Sequence, residues 1–152
     1  MNWHQFLSAV LPLLTLSPNY RKETFEYIVD KSLYPAYQSG QYALEQGNDN
    51  NAYAFVSWAI ITPDILEDIR ETLRPLETDE WQSGKGKDDA ILFCNDFVAP
   101  FGNCLTMKKY LDKELFADCN MDAYSRHSKW TEDGELIRRH LAQWRRKDVG
   151  RS

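Results

Sequence analysis

Apolar residues recur along this chain with more than one period. The opening stretch FLSAVLPLLTL, Phe6 to Leu16, is apolar at nearly every position and reads as a core helix. Ser17 and Pro18 then supply an N-cap and a first helical residue. With Phe25, Ile28, Val29 and Leu33 recurring on one face, they predict an amphipathic helix that ends before Pro35. QYALEQ and NAYAFVSWAII flank a Gly-Asn-Asp-Asn-Asn turn and predict an antiparallel hairpin. Thr62 and Pro63 open a helix through Ile65, Leu66, Ile69 and Leu73, closed by Pro75. After the polar loop TDEWQSGKGKDDA, the run ILFCNDFVAPFG reads as a buried strand with a Pro-Phe-Gly break. A helix capped by Asn103 follows, burying Cys104, Met107, Leu111 and Leu115 and leaving Lys108, Lys109 and Lys113 in water. FADCNMDAY and RHSKWT are weaker strand signals. DGELIRRHLAQWRRK reads as a last helix with Ile137, Leu141 and Trp144 on one face. The order predicts an α+β fold with a mixed, mostly antiparallel sheet flanked by helices.

Composition narrows the class. At 152 residues, with 43% hydrophobic and 13% aromatic residues, the chain can build one core, expected over 1–148, with 149–152 as a flexible tail. A net charge of -5 argues against nucleic acid as a partner. Cys94, Cys104 and Cys119 cannot all pair and lack metal-ligand spacing, so reduced thiols, a cytoplasmic setting and no metal are expected. The apolar opening has no preceding positive charge and no small-residue cleavage site, and it is too short to span a bilayer, so neither a signal peptide nor membrane insertion is expected.

One residue conflicts with the pattern: Asp96, a carboxylate inside an otherwise apolar strand. It either caps the turn, pairs with Arg21, or performs chemistry. Five stretches in chain order bear on the choice: SPNYRK (17–22), FVSWA (55–59), DEWQSG (79–84), NDFVAPFG (95–102) and ELF (114–116). Together they resemble the toxin-activating lysine-acyltransferases, which fatty-acylate pore-forming repeat-in-toxin proteins. The resemblance covers roughly Ser17 to Arg126, and Asp-x-x-Ala-Pro-Phe-Gly is its most specific element. It implies an acetyltransferase-like (GNAT-like) fold and acyl carrier protein, rather than coenzyme A, as donor substrate. It also implies a lysine ε-amine of a protein as acceptor, and a catalytic histidine and aspartate. The aspartate falls on Asp96. The family pattern Ser-Pro-x-His-Arg-Lys meets Ser17, Pro18, Asn19, Tyr20, Arg21 and Lys22, so Tyr20 stands at the histidine position.

Amide formation from a thioester needs a neutral amine and a stabilised or protonated leaving thiolate. An acid desolvated by Phe93, Phe97 and Phe101 is suited to take the amine proton, which makes Asp96 the candidate base. Tyr20, read in the first turn of its helix, would meet the positive dipole end there, and its phenol is suited to protonate the thiolate. Alternatively it packs against Trp58 or Phe97. Phe97, Val98, Gly102 and Asn103 are expected to line the donor site; their turn has too few glycine amides to cradle a pyrophosphate. No tightly bound cofactor is expected. An acidic carrier needs cations, for which Arg138, Arg139, Arg145, Arg146 and Lys147, or Arg21, Lys22, Lys108 and Lys109, are candidates. His4, His127 and His140 lie in unrelated segments, and Trp58 and Trp81 read as packing residues. Three functions remain. One is an N-acyltransferase acting on a toxin-like protein. Another is a maturation enzyme acylating lysine or ornithine of a small ribosomal peptide. The third is a catalytically inactive binding module. A homodimer is left open.

Overall fold

The structure, a computed structural model, describes residues 1–147; the predicted domain end at 148 and the tail 149–152 lie outside the described residues. The elements run α1 (Trp3–Leu14), α2 (Phe25–Ile28), α3 (Tyr34–Ser39), β1 (Tyr42–Gln46), β2 (Ala52–Ile61), α4 (Pro63–Thr72), β3 (Ile91–Val98), α5 (Cys104–Tyr110), β4 (Asp122–Trp130) and β5 (Leu136–Arg145). The five strands form one sheet in chain order, β1-β2-β3-β4-β5. The β1–β2 and β4–β5 ladders are antiparallel, while β3–β4 is parallel and needs the crossover that α5 supplies. This is the expected α+β architecture, a mostly antiparallel open sheet with helices, of the acetyltransferase-like kind. The described residues divide into two compact units: Met1–Ser57 with Asp96–Cys119, and Trp58–Asn95 with 120–147.

In the first unit, α1 starts with a capping box in which Asn2 and Gln5 exchange side-chain and backbone hydrogen bonds of 2.9 and 2.8 Å. Phe6, Val10, Leu13 and Leu14 are its buried stripe, and the Phe6 ring lies 4.8 Å from that of Tyr42 and 5.9 Å from that of Phe55. Each such buried side chain contributes about 1.5–3 kcal/mol. The hairpin β1–β2 turns through 47–51 as expected, with Asn50 at φ 62° in the left-handed region that suits asparagine.

Two helix boundaries and one buried position differ from the expectation. Helix α2 is capped by Thr24, whose hydroxyl accepts from the Tyr27 N–H at 3.1 Å, and not by Ser17. Residues 17–23 form consecutive turns instead, closed by Tyr20 N–H to Ser17 and Glu23 N–H to Tyr20, both at 3.2 Å. Pro35 does not end the helix either. In a continuous α-helix its ring would strike the carbonyl four residues back, and it has no N–H to give. The chain widens to a π-turn over Val29–Leu33, continues as α3, and stops at Gly40 with φ 73°. Beyond α5, a second π-turn over Leu111–Leu115 puts Phe116, five residues past Leu111, in the buried place predicted for Leu115, which is exposed. Met107 and Leu111 are buried, and Cys104 is exposed.

In the second unit, the predicted last helix is a strand. β5 pairs with β4 through a turn at Thr131–Gly134, where Gly134 takes φ 82° and Thr131 and Glu135 are hydrogen-bonded. Arg138 and Arg139 therefore point to opposite sheet faces and form no helical patch. Helix α4 follows the sequence, with Leu73 left-handed at its end. The segment DEWQSG docks on β2: Ile60 N–H donates to Trp81 at 2.8 Å and Gly84 N–H to Ile60 at 2.9 Å. A Cβ on Gly84 would stand 2.4 Å from the Ile61 carbonyl oxygen and 2.7 Å from its carbon, both backbone atoms held by the sheet. Gly84→Ala is therefore expected to cost about 3 kcal/mol as an overpacking substitution. That corresponds to a melting temperature lower by about 6–12 °C in a calorimetric scan; an unchanged melting curve would show that the loop is not pinned there.

Candidate active site

The four side chains of the site come from four segments of the first unit. β3 carries Asp96, and alternation along the strand sends Asp96 and Val98 to one face and Phe97 to the other. Asp96 is 2% exposed, whereas Phe97 and Phe101 are 38% and 59% exposed. The expectation that Phe97 and Phe101 desolvate the acid is thus corrected: hydroxyl groups surround it. The Tyr20 hydroxyl donates to Oδ1. The Ser32 hydroxyl donates to the same oxygen at 3.1 Å, and the Ser57 hydroxyl donates to Oδ2 at 2.5 Å. Both carboxylate oxygens of Asp96 are thus engaged by hydroxyl groups.

Each partner arrives by local folding. Tyr20 is half-buried in the turns ahead of α2, so it does not occupy a first helical turn; what orients its phenol is the carboxylate and not a helix dipole. Ser32 lies in the π-turn, four residues past buried Ile28 and next to buried Leu33, on the inward face. Ser57, fully buried, sits on β2 opposite Tyr42 of β1. Neither serine was expected from the sequence. For Ser57 a signal existed: it is a polar residue inside the apolar run Phe55-Val56-Ser57-Trp58-Ala59, the same anomaly that marks Asp96. Ser32 lies within an apolar recurrence that is legible, but its partner is 64 residues away.

Of the residues expected to line the donor site, Val98 is buried, Phe97 is partly exposed, and Gly102 takes φ 82° in the turn after β3. Asn103 occupies the N-cap position of α5 without capping it. Its Nδ2 donates to Glu45 Oε2 at 2.8 Å, and since a carboxylate only accepts, the amide orientation is fixed. Oδ1 is then buried with no hydrogen-bond partner among the described residues. His4 is exposed on α1, and the exposed rings of His127 and His140 stand 5.7 Å apart across β4 and β5. Among the described residues none of Cys94, Cys104 and Cys119 forms a disulfide. Among the described residues no group of three or more metal-ligating side chains converges, and no helix is long and apolar enough to cross a membrane.

Chemically, a phenol hydrogen-bonded to a buried carboxylate can pass a proton to it while taking one from outside, the use to which oriented proton-transfer pairs are put. Comparison with known proteins places the whole chain. Lysine-acyltransferase RtxC of Vibrio cholerae serotype O1 is 22% identical over 112 residues, 74% of this chain and 69% of its own. Leukotoxin-activating lysine-acyltransferase LtxC of Aggregatibacter actinomycetemcomitans is 30% identical over 146 residues, 93% of this chain and 83% of its own. Leukotoxin-activating lysine-acyltransferase LktC of a Pasteurella haemolytica-like species is 28% identical over 138 residues, 90% and 78%. The match to the family itself takes in residues 1–140, beyond the Ser17 to Arg126 span of the recognisable motifs, and includes α1 and the first half of β5. The chain belongs to the RTX toxin acyltransferase family.

Proposed function

We propose that this protein transfers a fatty acyl group from acyl carrier protein to the ε-amine of a lysine in a protein acceptor, in the cytoplasm, with Tyr20 and Asp96 moving the proton. The observation that carries the reading is the hydrogen bond from the Tyr20 hydroxyl to buried Asp96, because it joins the two positions where the family resemblance puts histidine and aspartate. Asp96 stands behind Tyr20, so the phenol oxygen, and not the carboxylate, meets the substrate. The amine nitrogen attacks the thioester carbonyl and gives up its proton to the Tyr20 oxygen as the phenol proton moves to Asp96. When the tetrahedral adduct collapses, the C–S bond breaks and the same proton returns through Tyr20 to the departing sulfur. An amide and a thiol result, and Tyr20 and Asp96 end as they began. Ser32 and Ser57 hold the carboxylate in place throughout.

Donor choice is supported by the turn after β3, where Gly102 is the single glycine before α5. The partnerless Oδ1 of Asn103 suits an amide N–H of a phosphopantetheine arm. Incubating the protein with a lysine-containing acceptor and either acyl carrier protein or coenzyme A thioesters of matched chain length, with mass spectrometry of the products, tests this. Transfer is expected to favour the carrier and to weaken with added salt. Equal or better use of the coenzyme A thioester, insensitive to salt, would refute the carrier as donor.

A further inference from the structure

A cleft of about 970 Å³ opens between α1 and the turn end of the β1–β2 hairpin, with every wall in the first unit. Phe55 and Ser57 alternate onto one face of β2, and the Phe6 ring of α1 lies 5.9 Å from that of Phe55, so α1 and the Ser57–Asp96 hydrogen bond share that face. Two of the lining residues belong to the segments that carry the proton pair. Leu16 is joined to Tyr20 through the turns Ser17 N–H to Leu14 and Tyr20 N–H to Ser17, and four residues span at most about 14 Å. Phe101, whose ring stands 5.9 Å from that of Tyr53, follows Asp96 by five residues, at most about 18 Å.

The lining selects the occupant. No Asp, Glu, Lys or Arg lines the cleft among the described residues, and the acids next to it in sequence, Glu45 and Asp49, are bonded to Asn103 and to Asn51 and Tyr53. Its amide side chains each have one end already used. Gln5 Oε1 accepts from the Asn2 N–H at 2.8 Å, leaving the amide hydrogens of Gln5 to donate. Gln46 Nε2 donates to the Asn50 carbonyl at 3.1 Å and Asn51 Nδ2 to Asp49 at 2.9 Å, leaving two side-chain oxygens to accept. Pro12, inside α1, has no N–H for the Ser8 carbonyl, and both residues line the cleft. Uncharged donors and acceptors beside the apolar surfaces of Pro12, Leu16 and Phe101 match a polypeptide backbone, which carries one donor and one acceptor per residue. A fatty chain would instead strip water from these amides and return no hydrogen bond. We infer that the cleft holds an uncharged, extended stretch of the protein acceptor beside its target lysine. The inference rests on the acyl transfer proposed above and adds where the acceptor lies.

The test measures binding of a fluorescent peptide to the full chain by anisotropy, a readout that does not need turnover. The probe carries one lysine flanked on each side by about five Gly, Ser and Val residues, enough at about 3.3 Å each to reach from the proton pair into the cleft. Its affinity should change little with added salt, since no charge pair holds the flanks. N-methylation of the flanking amides, which removes their N–H donors, should raise Kd at least about tenfold. Ser8→Trp, which fills the cleft from an exposed helix position, should do the same. Gln46→Ala serves if that variant does not fold, and should raise Kd about threefold. Parent-like affinity in both variants, or for the N-methylated probe, overturns the cleft and leaves acyl transfer intact, as does a parent that transfers acyl groups without binding the probe. Preference for shorter acyl chains in Ser8→Trp, with parent-like peptide binding, gives the cleft to the donor's acyl chain and overturns the acceptor assignment. A parent that binds the probe but transfers no acyl group from any thioester overturns the proposed function, and with it the acceptor role, while the cleft still binds peptide.

Discussion

Asp96→Asn is expected to lower acyl transfer by at least about 10²-fold while the protein stays folded, the range for loss of a positioned proton acceptor. The substitution keeps the size and planarity of a group that is 2% exposed, so no cavity opens. It replaces an acceptor-only carboxylate with an amide that accepts at one atom and donates at the other. Tyr20, Ser32 and Ser57 all point hydroxyls at this group, and a hydroxyl can rotate to accept as well as donate. The cluster can therefore stay bonded around an asparagine. What the amide cannot do is hold the proton that Tyr20 must pass on during attack. The loss should thus fall on kcat, with a smaller change in KM for either substrate. Comparable melting curves for the two proteins establish that the fold survived. Near-parent turnover in Asp96→Asn would make the carboxylate a structural centre of the hydroxyl cluster and remove it from the chemistry. Ser57→Ala offers a graded comparison, since it removes one donor and leaves the carboxylate itself.

The site was legible where a polar residue interrupted an apolar period, and illegible where the period itself was misread. Asp96 stood out because a charge in the interior of a strand needs a reason, and the hairpin and α4 were marked by turn chemistry and by Pro63 and Pro75. The strand β5 was misread because Ile137, Leu141 and Trp144 fall at helical spacing and the segment is rich in Leu, Arg, Ala and Gln. Pairing with β4 overrode that preference, as strand formation commonly depends on neighbours more than on intrinsic propensity. The Asp133-Gly134 turn was the local hint. The start of α2 was misplaced because two candidate caps compete, Ser17 and Thr24, and the turns of 17–23 withdraw the first. That error matters for function, since it assigned Tyr20 to a helix dipole when its phenol is directed by Asp96. Ser32 depends on a contact across 64 residues and on a π-turn forced by Pro35, neither of which a short window of sequence contains.

Tyr20→Phe should likewise reduce transfer by about 10²-fold or more, and it separates chemistry from packing more sharply than any other change. The ring is retained, so contacts made by its carbons persist, and only the oxygen that bonds Asp96 is lost. A phenol is a poor base alone, with an ordinary pKa of about 10, so its contribution depends on handing its own proton to the carboxylate in the same step. Without it, the amine must reach a carboxylate that is buried behind the ring. Tyr20→His tests the same geometry from the other side. An imidazole at this position can donate one ring N–H to Asp96 and present the second nitrogen to the amine, the pairing of residue types the family resemblance implies. This variant should transfer acyl groups measurably above Tyr20→Phe, with a rate that acquires the titration of an imidazole near pH 6.5, about its ordinary value, and falls as the ring is protonated below it. If Tyr20 only fills space, the order reverses: Tyr20→Phe is silent, and Tyr20→His, which loses ring volume, is the weaker enzyme. A fully active Tyr20→Phe protein would therefore end the relay and leave Asp96 to act on a substrate that approaches it by another route.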